Sequence, residues 1–150
     1  MVDLILAIGH HLLVFSLAGV LAAELAMVRT GLGGASLRRL GMIDLAYGAI
    51  AGAIVAVGFA RVFFGIKGPT AYLPNPFFWS KLVVFALVGL LSIPPTLRIV
   101  RWRRQAGADP AFAPSETEIA AARRFILAEA CLFPLIPAFA AVMARGYGLG

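Results

Sequence analysis

The chain has 150 residues, room for a single domain. Hydrophobic residues make up 61 % of it and charged residues only 13 %, about half the share usual in soluble domains. A water-soluble fold is excluded, because it could not hide that much apolar surface. Nucleic acid is excluded as a partner too. The net charge of +6 comes from basic residues set between hydrophobic runs and not along one polar face.

The opening "MVDLILAIGHH" lacks a basic lead-in, and its apolar run outlasts a signal-peptide core, so it reads as an uncleaved first span. A span takes about 20 mainly apolar residues. Four segments qualify: 4–28, 43–64, 77–97 and 119–143. They predict an all-α protein, a four-helix transmembrane bundle with the lipid bilayer as its partner. Glycine- and proline-rich stretches separate the spans, "RTGLGGASLRR", "GIKGPTAYLPNP" and "RWRRQAGADPAFAPSETE". In the last, Ser115 stands three residues before Glu118, a capping box that opens the fourth helix. The lone Cys131 has no partner for a disulfide within the chain.

Of the 13 basic residues, nine fall on one side of the spans: Arg29, Arg38, Arg39, Arg98, Arg101, Arg103, Arg104, Arg123 and Arg124. The other side holds four, Arg61, Lys67, Lys81 and Arg145. The positive-inside rule then predicts both termini outside, in a bacterial inner membrane. Tyr72, Trp79 and Trp102 fit an interfacial aromatic belt.

Lipid gives helices no hydrophobic reason to associate, so small residues must let backbones approach. The second span offers Gly48, Gly52 and Ala56, and the first offers Ala18 with Ala22 and Gly19 with Ala23. These stripes suit packing within the chain or a homo-oligomer contact. Pro94, Pro95, Pro134 and Pro137 predict kinks.

Ionisable residues inside lipid are costly and usually face the bundle interior. Here they form two layers. His10, His11, Arg61 and Lys81 lie near the outer side; Glu24, Asp44 and Glu129, with Arg29 close by, lie near the arginine-rich side. Glu24 follows His10 by fourteen residues, about 40° from the same helical face, so both can look inward while His11 points about 100° away. The inner layer reads either as carboxylates paired with arginine or as part of a proton route, with Tyr47 and Ser92 as intermediates. Adjacent histidines cannot grip one metal from one helix face, and the chain lacks the i, i+4 pair that would, so no metal site is expected. Both axial positions of one haem are excluded as well, which leaves a single histidine ligand or a hydrogen-bonded ring.

The strings "GHHLLVFSLAGVLAAELAMVR", "MIDLAYGAIAG", "RVFFGIKG", "NPFFWSKL", "GLLSIPPTLRIVRWRR" and "AEACLFPLIPAFAAVMARG" resemble a small bacterial membrane family, domain-of-unknown-function 2214, across nearly the whole chain. A more distant likeness is to the HemJ-type membrane protoporphyrinogen oxidase, which also has a histidine in its first helix, a small-residue second helix and a lysine–leucine opening the third. His10 or His11 and Lys81 stand in those places, although the oxidase's further histidines are missing. That resemblance implies haem b on a helix-one histidine, with Lys81 and Arg61 pairing with propionates or an anionic substrate. Three readings stay open: a haem-associated oxidoreductase, a small proton-coupled permease using Glu24, Asp44 and Glu129, and a non-catalytic module whose polar residues only hold the bundle.

Overall fold

The computed structural model describes residues 1–66 and 68–148. Lys67 and Gly150 lie outside them. Helices are the only regular structure among the described residues: α1 (Val2–Met27), α2 (Ala35–Phe64), the single turn α3 (Pro69–Tyr72), α4 (Pro76–Ala108), α5 (Glu116–Leu132) and α6 (Leu135–Ala144). The stretches α1, α2, α4 and α5–α6 are each long and apolar enough to cross a membrane, so the protein is a multi-pass membrane protein.

All four predicted spans are present, and the second and third helices overrun theirs. The second starts at Ala35 instead of residue 43, and the third continues to Ala108 instead of stopping at 97. Hydropathy reports only the part that needs lipid, whereas the backbone ladder continues into the arginine-bearing turns. Each end has a local cause. Gly34 caps α2 with φ of +51°, a left-handed conformation that costs a residue with a Cβ. Asn75 accepts the Phe77 N–H at 2.9 Å, and Pro76 follows as a first-turn residue with no donor to waste. The predicted capping box is present, since Ser115 Oγ accepts from Glu118 N–H while Glu118 accepts from Ser115 N–H.

The prolines divide. Helix α4 runs unbroken through Pro94 and Pro95. The fourth span breaks at Phe133–Pro134 and resumes as α6. Pro137 then falls in the first turn of α6, where a missing N–H costs little.

Helix α1 packs along α2, α2 along α4, and α4 along α5 and α6, and α5 returns to α1. This closes a four-membered ring around Leu17, Leu21, Tyr47, Ile54, Ile99 and Ile126, all buried. Leu4, Phe15, Met42, Phe59, Leu90 and Leu97 face outward, as a lipid-facing surface requires. Arg123 of α5 donates to the Leu25 and Val28 carbonyls at 2.8 and 3.0 Å. Those groups end α1 without helical partners, so one guanidinium both caps α1 and ties it to α5.

Two packing expectations are corrected. A Cβ built on Gly48, Gly52 or Gly19 would meet nothing within 4 Å, so these glycines make no close approach to another helix of the same chain. Residues four apart drift by about 40° per step, and Gly48 and Gly52 therefore turn progressively away from the Asp44 face. The close approaches are elsewhere. Arg103 lies against Gly41, and the His10 ring lies 3.4 Å from where a Gly58 Cβ would stand. Trp102 is not a belt residue: it is fully buried and packs in the core that α4 builds with α5. Trp79 is half exposed and donates its indole N–H to the Leu73 carbonyl, in keeping with an interfacial position.

Candidate functional site

Three helices deliver one carboxylate each to the interior near the arginine-rich end. Glu24 of α1, Asp44 of α2 and Glu129 of α5 are only 3 %, 7 % and 1 % exposed. They lie within electrostatic range of one another. Each is inward for a periodic reason. Glu24 continues the stripe Leu17–Leu21, Asp44 continues Leu37–Leu40–Gly41, and Glu129 continues Ile119–Ala122–Ile126, all spaced by three or four residues.

Their partners are hydroxyls. Tyr47 donates its phenol O–H to Glu129 Oε2 at 2.9 Å, a bond that crosses the bundle from α2 to α5. Thr96 of α4 donates to Asp44 Oδ1 at 2.6 Å. The expected pairing with arginine does not occur. Among the described residues the one ion pair is Arg101 with Glu118, at the exposed end of α4. Arg103 is the nearest cation to act on Asp44, and it does so from beyond ion-pairing distance. Arg29 is not part of the group, because α1 ends at Met27 and leaves it exposed in the following bend.

Between α2 and α4 a groove of about 520 Å³ runs past this group, lined by Asp44, Tyr47, Gly48, Gly89, Ser92 and Thr96 among others. Gly48 and Gly89 leave the helices apart here. Asp44 is thus the carboxylate that meets an open face, whereas Glu129 is sealed. Ser92 donates to the Gly89 carbonyl of its own helix at 2.7 Å. It joins no relay in this arrangement.

At the opposite end, His10 of α1, Arg61 of α2 and Lys81 of α4 come together, each half-buried and near enough to act on one another electrostatically. His10 turns toward α2 and its Nδ1 is buried without a partner, as is Arg61 Nε. His11 is exposed, its Nδ1 2.7 Å from the Ala7 carbonyl one turn back. Lys81 Nζ stands 5.0 Å from the centre of the Phe78 ring, a cation–π contact. The angular argument from His10 to Glu24 therefore separates the two histidines.

Tyr47 and Thr96 are the partners that spacing alone left unassigned. Tyr47 was visible as a hydroxyl near mid-span, and it lies three residues from Asp44 on the inward stripe. Thr96 had no signal beyond following Pro95. No group of three or more His, Cys, Asp or Glu side chains among the described residues is arranged to hold a metal ion.

No curated protein and no solved structure matches the chain. The predicted membrane protein family DUF2214 matches residues 2–148. With four apolar helices filling that match, the chain belongs to this family of predicted membrane proteins.

Proposed function

We propose that the chain is a small proton-coupled carrier, one four-helix domain of the bacterial inner membrane with its arginine-rich loops in the cytoplasm. One observation carries the reading: three buried carboxyl groups from three helices share a site supplied with hydroxyls and no ion-paired cation. Carboxylates set together in a low-dielectric interior without an ion pair are costly to keep, which suits them to exchanging protons. Asp44 meets the α2–α4 groove and exchanges protons there, with Thr96 fixing its carboxyl. Glu24 and Glu129 accept the proton inward, and Tyr47 holds Glu129 in position. A purely structural core would satisfy its charges with arginine, which this end of the molecule has in excess.

The test is proton uptake by liposomes that carry the purified protein and an internal pH dye, driven by an imposed potential. Asp44→Asn and Glu129→Gln should each abolish uptake while the protein stays folded and monodisperse. Arg101→Gln should leave it intact. Uptake that persists in both carboxylate variants, or is absent from the wild type, leaves the polar residues with a role in holding the bundle and overturns the carrier.

A second reading, haem b on His10, draws on the cations Arg61 and Lys81, which would suit two propionates. Protein purified from cells with ample haem should then show a Soret band that His10→Ala removes and His11→Ala keeps. A colourless preparation ends this reading.

A further inference from the structure

We infer that His10, Arg61 and Lys81 form a binding site for a small oxyanion, a carboxylate or phosphate group, and that this anion is the cargo of the carrier proposed above. The inference rests on that reading for the word cargo and stands on its own geometry for the site. Three nitrogen bases from three helices converge at one end of the bundle. Two of their nitrogens, His10 Nδ1 and Arg61 Nε, are shut off from solvent with nothing to bond. A buried polar group left unpaired costs about 1–3 kcal/mol, more when charged, so two such nitrogens within one cluster describe a site missing a partner.

Among the described residues no side chain pairs with these two nitrogens. Of its seven acidic residues only Asp3 lies at this end, and its Oδ1 takes the Ile66 N–H without pairing with Arg61. An oxyanion answers each requirement at once. It accepts from Arg61 Nε and from a His10 N–H, and it neutralises Lys81, whose ammonium stands over the Phe78 ring. Arg61 with a second donor beside it suits a planar or tetrahedral group of oxygens. The two charged clusters lie fourteen residues apart along α1, about 21 Å at the helical rise. An anion bound at one end and protons bound at the other would lower the charge that has to cross between them.

The experiment uses the full chain in phosphatidylcholine nanodiscs with ¹⁵N-labelled arginine and histidine, and follows the Arg61 Nε–H and His10 ring signals during titration. Inorganic phosphate and acetate are the free probes, and discs with added phosphatidylglycerol supply the same chemistry as a lipid headgroup. A saturable shift with a free probe establishes the site with a soluble anion as ligand. A shift confined to the phosphatidylglycerol discs establishes the site with a headgroup in it and removes the cargo role. Arg61→Gln and Lys81→Gln should each weaken binding roughly tenfold or more, and Arg145→Gln should not. No shift in any disc, or an Arg61→Gln protein that binds as the wild type does, overturns the site. Glu129→Gln keeps the two proposals apart: it should lose proton uptake and keep the anion-dependent shift.

Discussion

Tyr47 shows how much one hydroxyl decides in a dry interior. Its phenol reaches across the bundle to Glu129, and without it the buried carboxyl would have no hydrogen-bond donor among the described residues. Tyr47→Phe should therefore lower stability by about 1–3 kcal/mol, the cost of leaving a buried acceptor unpaired. Unfolding in mixed micelles checks it, with Tyr72→Phe as the control expected to change stability by less than about 0.5 kcal/mol. Equal losses would mean that the crossing bond holds nothing. The sequence shows that Glu24, Asp44 and Glu129 turn inward, since periodicity and the cost of charge in lipid point the same way. It does not show what they touch. Tyr47 and Glu129 are 82 residues apart, and a hydroxyl competes for a carboxylate with arginines that read as the stronger candidates. The arginines lose because geometry sends them elsewhere: Arg123 caps α1, and Arg101 reaches Glu118. Trp102 misled for a related reason, since an aromatic near a helix end reads as a belt residue until the helix proves to run eleven residues past the end of its apolar run.

At the scale of elements, the helices are set by signals the sequence carries plainly, while their contacts are not. Caps, prolines and apolar length fix where α2, α4 and α5 begin. A Gly-xxx-Gly spacing, by contrast, fits close packing or an open groove equally well, and only the rotation of α2 decides between them. Substitution should separate the two kinds of glycine. Gly58→Leu would push against the His10 ring already 3.4 Å from its Cβ position and should cost about 1–3 kcal/mol, as overpacking does. Gly52→Leu meets open space and should be neutral or slightly stabilising, because leucine is the better helix former. The comparison is made by thermal unfolding in one detergent. A larger loss at Gly52 would restore the stripe as a helix–helix contact and displace Gly58 from it. The cap of α5 offers a smaller effect of the opposite origin. Ser115→Ala removes one half of the capping box and should cost about 1 kcal/mol, with no change at either charged cluster.

For the whole molecule, orientation follows from where charge collects. Nine of the 13 basic residues flank the ends of α1, α2, α4 and α5 that the Arg123 cap draws together, and these should lie in the cytoplasm. Folding has extended the helices into those regions without moving the arginines across the bundle, so the asymmetry survives in three dimensions. Among the described residues the opposite end gathers His10, Arg61 and Lys81 in the interior and should face outward, which is the side from which an oxyanion would enter. Labelling can decide it. The only cysteine is the exposed Cys131, so a Cys131→Ala background leaves the protein free of thiols, and Ala111→Cys then places one in the exposed loop between α4 and α5. A membrane-impermeant maleimide applied to intact cells should leave that thiol unmodified and should label it once the membrane is opened. A reporter fused after Gly150 should read as external in the same cells. Labelling of Ala111→Cys in intact cells, with a cytoplasmic reading from the fusion, would invert the protein. The carboxylate cluster would then face outward, and the anion would have to be loaded from the cytoplasm against the direction proposed.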